Sequence, residues 1–224
     1  MTFMIVGHLL NAQTFRFEGY DYQPSLVKAS VTKLDGQRVV KVERDLVAGP
    51  FDANNLSKTV DLPTYVRLKD IEFSNGTIEF KMLSTVPDYS LFRQAQGFIG
   101  IAFRIGESDQ SFESIYLRPK AGRSENQFAR NHTVQYFCYP DYKFDRLRKE
   151  SEGTYETYAD VGLGEWITIR LEVDGEKAKL HINNQQSASF LVEKLKGPVT
   201  RGGIGLWVDI GTVGYFRDLK IIPR

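Results

Sequence analysis

At 224 residues and 25.6 kDa, the chain has the length of one β-sandwich or barrel domain. Hydrophobic residues make up 42% of it and charged residues 25%, an ordinary globular composition. Its 29 basic and 28 acidic residues leave a net charge of +1 and interleave along the chain, which argues against nucleic acid or another polyanion as partner.

In chain order, the first residues, MTFMIVGHLLNAQTF, carry no charge before Arg16 and hold an apolar run over 3–10. That run is too short to span a bilayer, which takes about 20 residues. It resembles the second half of a secretory signal peptide without its basic start, with small Ala12 before Gln13 as the cleavage point. The expectation is a signal remnant at 1–12, one domain over 13–224 and a secreted or periplasmic protein. An N-terminal core strand is the alternative.

From there the pattern is β throughout. Alternating or β-rich runs occur at 30–31, 38–43, 65–68, 76–82, 97–105, 112–117, 132–139, 155–160, 166–173, 178–182, 187–191, 203–208 and 214–222. Turn pairs fall between them at Asp35-Gly36, Asn75-Gly76, Asp174-Gly175, Asn183-Asn184 and Gly202-Gly203, as an antiparallel meander requires. No segment sustains a helical period for three turns. About a dozen short strands without a linker, repeat or low-complexity tract predict an all-β fold of two stacked antiparallel sheets in a single domain.

The window 98–148 is the densest in chemistry, with ten of the 28 aromatic residues and six arginines in 51 positions. Alternation assigns Ile99, Ile101 and Phe103 to a core face, and Phe98, Gly100, Ala102 and Arg104 to the other, where small residues beside an arginine read as a shallow groove. Tyr116 and Arg118 share a face opposite Ile115 and Leu117, and a turn then delivers Arg123. If the two strands are neighbours, Arg104 and Arg118 converge, and an acidic sugar or a carboxylate from Glu113 or Asp141 would sit between them. Salt bridges across the sheet are the plainer reading.

Between 130 and 139, His132, Val134, Tyr136 and Cys138 alternate with Thr133, Gln135, Phe137 and Tyr139, so both faces are expected to be covered. The buried amide, imidazole and phenol need partners, as a structural network or as a ligand shell that also takes in Arg130 and Asn131. His132 titrates near neutrality and is the best general acid or base in the sequence. Cys138, the lone cysteine, excludes an internal disulfide and reads as a small core residue. Asp141, Tyr142, Phe144, Arg146 and Arg148 read as an exposed aromatic loop, in which Tyr142 or Phe144 could stack on a pyranose ring.

The segment Trp166-Ile167-Thr168-Ile169-Arg170-Leu171-Glu172-Val173, its turn, the run Leu180-His181-Ile182-Asn183, and the closing Gly203-Ile204-Gly205-Leu206-Trp207 and Tyr215-Phe216-Arg217-Asp218-Leu219 resemble the concanavalin A-like lectin/glucanase superfamily. That superfamily includes laminin G-like domains and the jelly-roll family named for 3-keto-disaccharide hydrolases. The window 98–148 with its Tyr155-Glu156-x-Tyr158 extension is similar to secreted bacterial proteins near that hydrolase family. The resemblance implies a jelly-roll sandwich and a carbohydrate or glycoside as partner. It also admits a calcium site, although no Asp-rich loop argues for one and no other cofactor is expected.

Sandwich glucanases carry two catalytic carboxylates as Glu-x-Asp-x-x-Glu, about 5 Å apart for retaining chemistry. The sequence lacks that motif. The reading is therefore a carbohydrate-recognising jelly roll with Arg104, Tyr116, Arg118, Arg123, Arg130, Asn131, Gln135, Tyr136, Tyr142 and Arg148 around the ligand. The alternatives are a glycoside hydrolase or eliminase using His132 with Glu113, Asp141 or Glu156, and a laminin G-like protein-interaction domain. Neither oligomeric state nor the identity of the sugar follows from the sequence.

Overall fold

The computed structural model describes residues 13–224. The apolar run at 3–10 and the cleavage point at Ala12 lie outside the described residues. Among these there are fifteen strands: β1 (Phe15–Phe17), β2 (Tyr20–Ser25), β3 (Val27–Leu34), β4 (Gln37–Arg44), β5 (Tyr65–Leu68), β6 (Gly76–Thr85), β7 (Ile99–Ile105), β8 (Phe112–Leu117), β9 (Val134–Tyr139), β10 (Glu156–Thr157), β11 (Ile167–Asp174), β12 (Lys177–Ile182), β13 (Phe190–Val192), β14 (Gly203–Val208) and β15 (Val213–Pro223). Three short helices join them, α1 (Leu56–Thr59), α2 (Gln127–Asn131) and α3 (Phe144–Glu150).

The turns form where the sequence supplies residues that tolerate positive φ. Asp35 and Gly36, at 51° and 76°, give the doubly left-handed turn that matches strand twist and closes the β3–β4 hairpin in register from Leu34–Gln37 to Val27–Arg44. Asn183 and Asn184, at 53° and 61°, turn the chain after β12.

An eight-stranded sheet in the order β1-β2-β5-β14-β7-β8-β9-β10 packs on a seven-stranded sheet in the order β13-β12-β11-β6-β15-β4-β3, and every named pair is antiparallel. This is a single-domain jelly-roll sandwich. Ile99, Ile101, Phe103, Ile115 and Leu117 point into the interlayer core and are essentially unexposed. Ile99 marks the direction: its Cδ1 reaches the backbone of Gly214 on the other sheet.

Alternation then turns Gly100, Tyr116, Phe137 and Trp207 outward. That outer face is paved with aromatic rings: Trp207 lies 4.9 Å from Tyr116 and 5.4 Å from Phe137, and Phe112 lies 5.5 Å from Phe137 and 5.3 Å from Tyr65. The segment 50–64 covers part of it, with Trp207 Nε1 donating to Leu62 O at 2.9 Å and Thr64 Oγ1 to Val208 O at 2.5 Å. Both faces of β7, β8 and β14 are consequently buried.

Several local expectations need correction. Residues 144–148 are not a loop but the first turns of α3. Asp145 in the first turn and Arg148 and Lys149 in the last suit the helix dipole, Arg146 and Glu150 pair at 2.7 Å, and Leu147 is buried beneath them. His132 is not in a strand; it caps α2, and β9 starts at Val134. The strand expected at 155–160 shrinks to two residues, and β1 and β2 precede the first expected strand. Gly100 does not open a groove either. A Cβ there would meet Ile115 O at 2.3 Å and Tyr116 Cβ at 2.7 Å, so the missing side chain lets β8 and its tyrosine approach.

Candidate functional site

At one end of the paved face the aromatic layer opens into a cleft of about 700 Å³. Tyr116 and Arg118 form its floor. They are two residues apart along an extended chain and therefore emerge on the same side. Arg118 lies 4.8 Å above the Tyr116 ring and 6.0 Å from that of Phe98, and Phe98 stacks on Phe92 at 6.4 Å. Leu56 and Val60 near α1, Phe128 on α2, and Phe144 and Arg148 on α3 supply the walls. Gln94, Gln96 and Asn126 add amides at the rim. Phe128 is 70% exposed, so a largely open apolar ring stands at the cleft wall, with the His132 ring 4.3 Å away beside it.

Arg44 holds one wall in place. Its guanidinium is buried and donates to Gly49 O at 3.0 Å, Thr59 O at 2.6 Å and Pro50 O at 3.0 Å, and to Asp209 Oδ1 at 2.9 Å. Asp209 also accepts from the Asp61 N–H at 2.8 Å and the Ile210 N–H at 2.7 Å, so its charge is well compensated.

Asp61, also at the cleft, is treated very differently. Among the described residues it accepts only the Phe144 N–H, at 3.2 Å on Oδ2, and no donor reaches Oδ1. It is 2% exposed and has a positive φ of 52°. Burial pushes its pKa up to about 7, and the Asp209 charge adds to the rise. Asp209 is also raised by burial, with Arg44 opposing. The cleft thus contains one carboxylate that is paired and one carboxyl that keeps its proton to near neutrality.

Behind the cleft a second polar group ties the α2–β9 junction to β10 and α3. His132 Nε2 meets Glu156 Oε2 at 3.0 Å, and its Nδ1 meets Phe128 O in a short contact. Glu156 Oε1 accepts from Arg148 Nε at 2.7 Å and Nη2 at 2.6 Å, and lies 3.9 Å from Arg118. Arg118 donates to His132 O at 2.7 Å, Tyr116 Oη at 2.5 Å and, at 3.5 Å, Gln135 Oε1. Gln135 is fully buried and gives its amide N–H groups to Tyr136 O and Tyr155 O.

The structure therefore brings together Tyr116, Arg118 and Arg148 at the cleft, with His132, Gln135 and Glu156 behind them. The rest disperse. Arg104 does not converge with Arg118: β7 and β8 are neighbours but antiparallel, with Phe103 opposite Glu113 and Ile99 opposite Leu117, so the two arginines sit at opposite ends. Arg104 instead binds Ser74 O, Asn75 Oδ1 and Gly175 O. Glu113 and Tyr136 lie on the interlayer face, bonded to each other and to the backbone of Gly197 and Lys196. Burial raises the Glu113 pKa.

Asp141 is exposed, and neither it nor Glu113 reaches His132; of the three expected partners only Glu156 does. Arg123 pairs with Asp160 and Glu165 at the surface, Arg130 lies over Tyr158, Asn131 accepts from Gln127, and Tyr142 lies under Arg146. Cys138 is buried, and burial pushes its thiol pKa up. No group of three His, Cys, Asp or Glu among the described residues is arranged to hold a metal ion. No described helix is long and apolar enough to cross a membrane.

No family model and no curated protein matches the chain. Solved structures do. The carbohydrate-binding module CBM66 from Bacillus subtilis aligns with a TM-score of 0.51 at 11% identity over 88% of this chain and 94% of its own, which shows a shared fold. A galectin-like-fold protein from Bacillus subtilis aligns at 0.45 and 10% identity over 91% and 100% of the two chains. A β-glucanase from Bacillus licheniformis aligns at 0.43 and 10% over 94% and 82%.

Proposed function

We propose that the protein binds a carbohydrate in the cleft over Tyr116 and Arg118. The observation that carries this is the wall composition: exposed Phe128 and half-buried Phe92, Phe98 and Phe144 offer ring faces to sugar C–H surfaces, while Arg118, Gln94, Gln96 and Asn126 offer hydrogen bonds to hydroxyls. The shared fold with a carbohydrate-binding module agrees with it. The reading includes export, which the uncharged apolar start of the sequence supports.

Binding to an oligosaccharide panel tests it. Phe128→Ala removes a mostly exposed ring whose one ring contact among the described residues is His132, so it is expected to weaken the bound saccharide about tenfold while lowering thermal melting by no more than about 2 °C. Wild-type protein that binds no saccharide, or a variant with undiminished affinity, overturns the reading.

A second reading has its own observation. In the glycoside hydrolase or eliminase proposal, the nearest expectation from the resemblance to the 3-keto-disaccharide hydrolase family, Asp61 replaces His132 as the acid. A carboxyl protonated near pH 7 and facing the cleft is what general-acid chemistry needs, whereas both His132 nitrogens already meet protein oxygens. Release of reducing sugar by the wild type and its loss in Asp61→Asn is the expected outcome; turnover that survives in the variant excludes Asp61 as the acid.

A further inference from the structure

We propose that the cleft takes an acidic saccharide, a uronic-acid unit whose carboxylate is seated on Arg118. The inference rests on the carbohydrate reading of the same cleft and adds the charge of the ligand.

The ionisable groups that face Arg118 leave it with positive charge that no directly hydrogen-bonded carboxylate answers. Asp209 is neutralised by Arg44 at 2.9 Å. Glu156 is a single carboxylate facing two guanidiniums, and it is committed to Arg148 through two bonds of 2.7 and 2.6 Å and to His132 at 3.0 Å. Arg118 is left at 3.9 Å from Glu156, with all its hydrogen bonds going to uncharged groups, a carbonyl, a phenol and an amide oxygen. Among the described residues no protein acceptor meets its Nε–H. Lys143 adds a further cation on the Asp61 side and, among the described residues, donates only to the carbonyls of Ser57 and Val60.

Asp61 is the group that could balance this surplus, yet it forms no ion pair with Arg118 within 4 Å, and burial favours its neutral form. A guanidinium 7% exposed, on the floor of a cleft, whose nearest carboxylate among the described residues stands at 3.9 Å and is bonded to other partners, lacks the directly hydrogen-bonded anion that buried cations normally have. A ligand carboxylate would meet its free N–H, and the ring attached to that carboxylate would lie against the Phe98 and Phe128 side of the cleft. A neutral hexose would leave the surplus charge in place.

The test uses the unaltered protein with matched ligand pairs: oligosaccharides of galacturonate, glucuronate, mannuronate and guluronate, each beside its methyl ester. At least one acid is expected to bind about tenfold or more tightly than its ester, because the lost contact is a charge-assisted hydrogen bond. Raising the salt concentration is expected to weaken the acid and not the ester. In the protein, Arg118→Lys keeps the charge and is expected to retain part of the acid preference, whereas Arg118→Gln is expected to lose it. Equal binding of acid and ester in all four pairs, or binding confined to neutral sugars, overturns the inference and leaves the carbohydrate reading standing. Binding to no saccharide of either kind overturns both.

Discussion

Asp61→Asn is expected to leave stability nearly unchanged at pH 4 and to raise it at pH 8 by on the order of 4 kcal/mol. The direction follows from linkage. Asp61 has a folded-state pKa of about 7 against 3.8 for the free side chain. Between those values the folded protein binds a proton that the unfolded chain has released, so stability falls as pH rises from about 4 to about 7 and stays low above it. Below about 4 both states are protonated and the group contributes nothing.

Asparagine keeps the shape and an acceptor for the Phe144 N–H, tolerates the positive φ of 52°, and cannot ionise. Urea unfolding at pH 4, 6 and 8 measures the effect. A stability difference between variant and wild type that does not change with pH shows that Asp61 does not titrate in this range.

Arg44→Met is expected to destabilise the protein by about 3–5 kcal/mol, lowering the melting temperature by about 10 °C. The Arg44 and Asp209 side chains are 2% and 4% exposed, so the truncation leaves a carboxylate without its cation in a region already holding Asp61. It also frees the carbonyls of Gly49, Pro50 and Thr59, which Arg44 gathers into the segment that walls the cleft. Pairing the change with Asp209→Asn is expected to recover half of the loss or more, because replacing both partners removes the uncompensated charge. A single variant that melts within about 2 °C of wild type, or a double variant no better than the single, contradicts this account.

Local pattern revealed the sandwich because burying one face of a strand demands alternation, and turns at Asp35-Gly36 and Asn183-Asn184 demand residues that accept positive φ. The same logic correctly divided Ile99, Ile101 and Phe103 from Gly100 and Ala102. It failed where elements are too short to show a period: α3 has seven residues, and β1 only three. It failed also for Arg104, because alternation along one strand says nothing about which end of a neighbour it meets. Antiparallel pairing put Arg104 and Arg118 at opposite ends of the hairpin.

The site was half legible. Tyr116, Arg118 and Arg148 fell in the dense window and do line the cleft, with His132, Gln135 and Glu156 supporting them. Asp61 and Asp209 gave no signal, since each reads as a turn residue beside a strand, and they are 148 positions apart. Phe128 lay in the dense window but was not singled out there, and Phe92 lies outside that window. The available signal for Asp61 is its place between Val60 and Leu62, a lone acid flanked by apolar residues.

The number of layers, most strands and the core face of each were legible in the residue pattern, because side-chain alternation and turn chemistry are local properties. Tertiary structure alone decided the charges. Whether Glu113 serves the core or the ligand, whether Asp61 keeps its proton and whether Arg118 lacks a directly bonded counter-ion all depend on which distant segments fold over them. Desolvation and Coulomb interaction act through space, and the chain brings Asp61, Arg118, Arg148 and Asp209 to one cleft, with Arg44 behind Asp209, only by closing the sandwich.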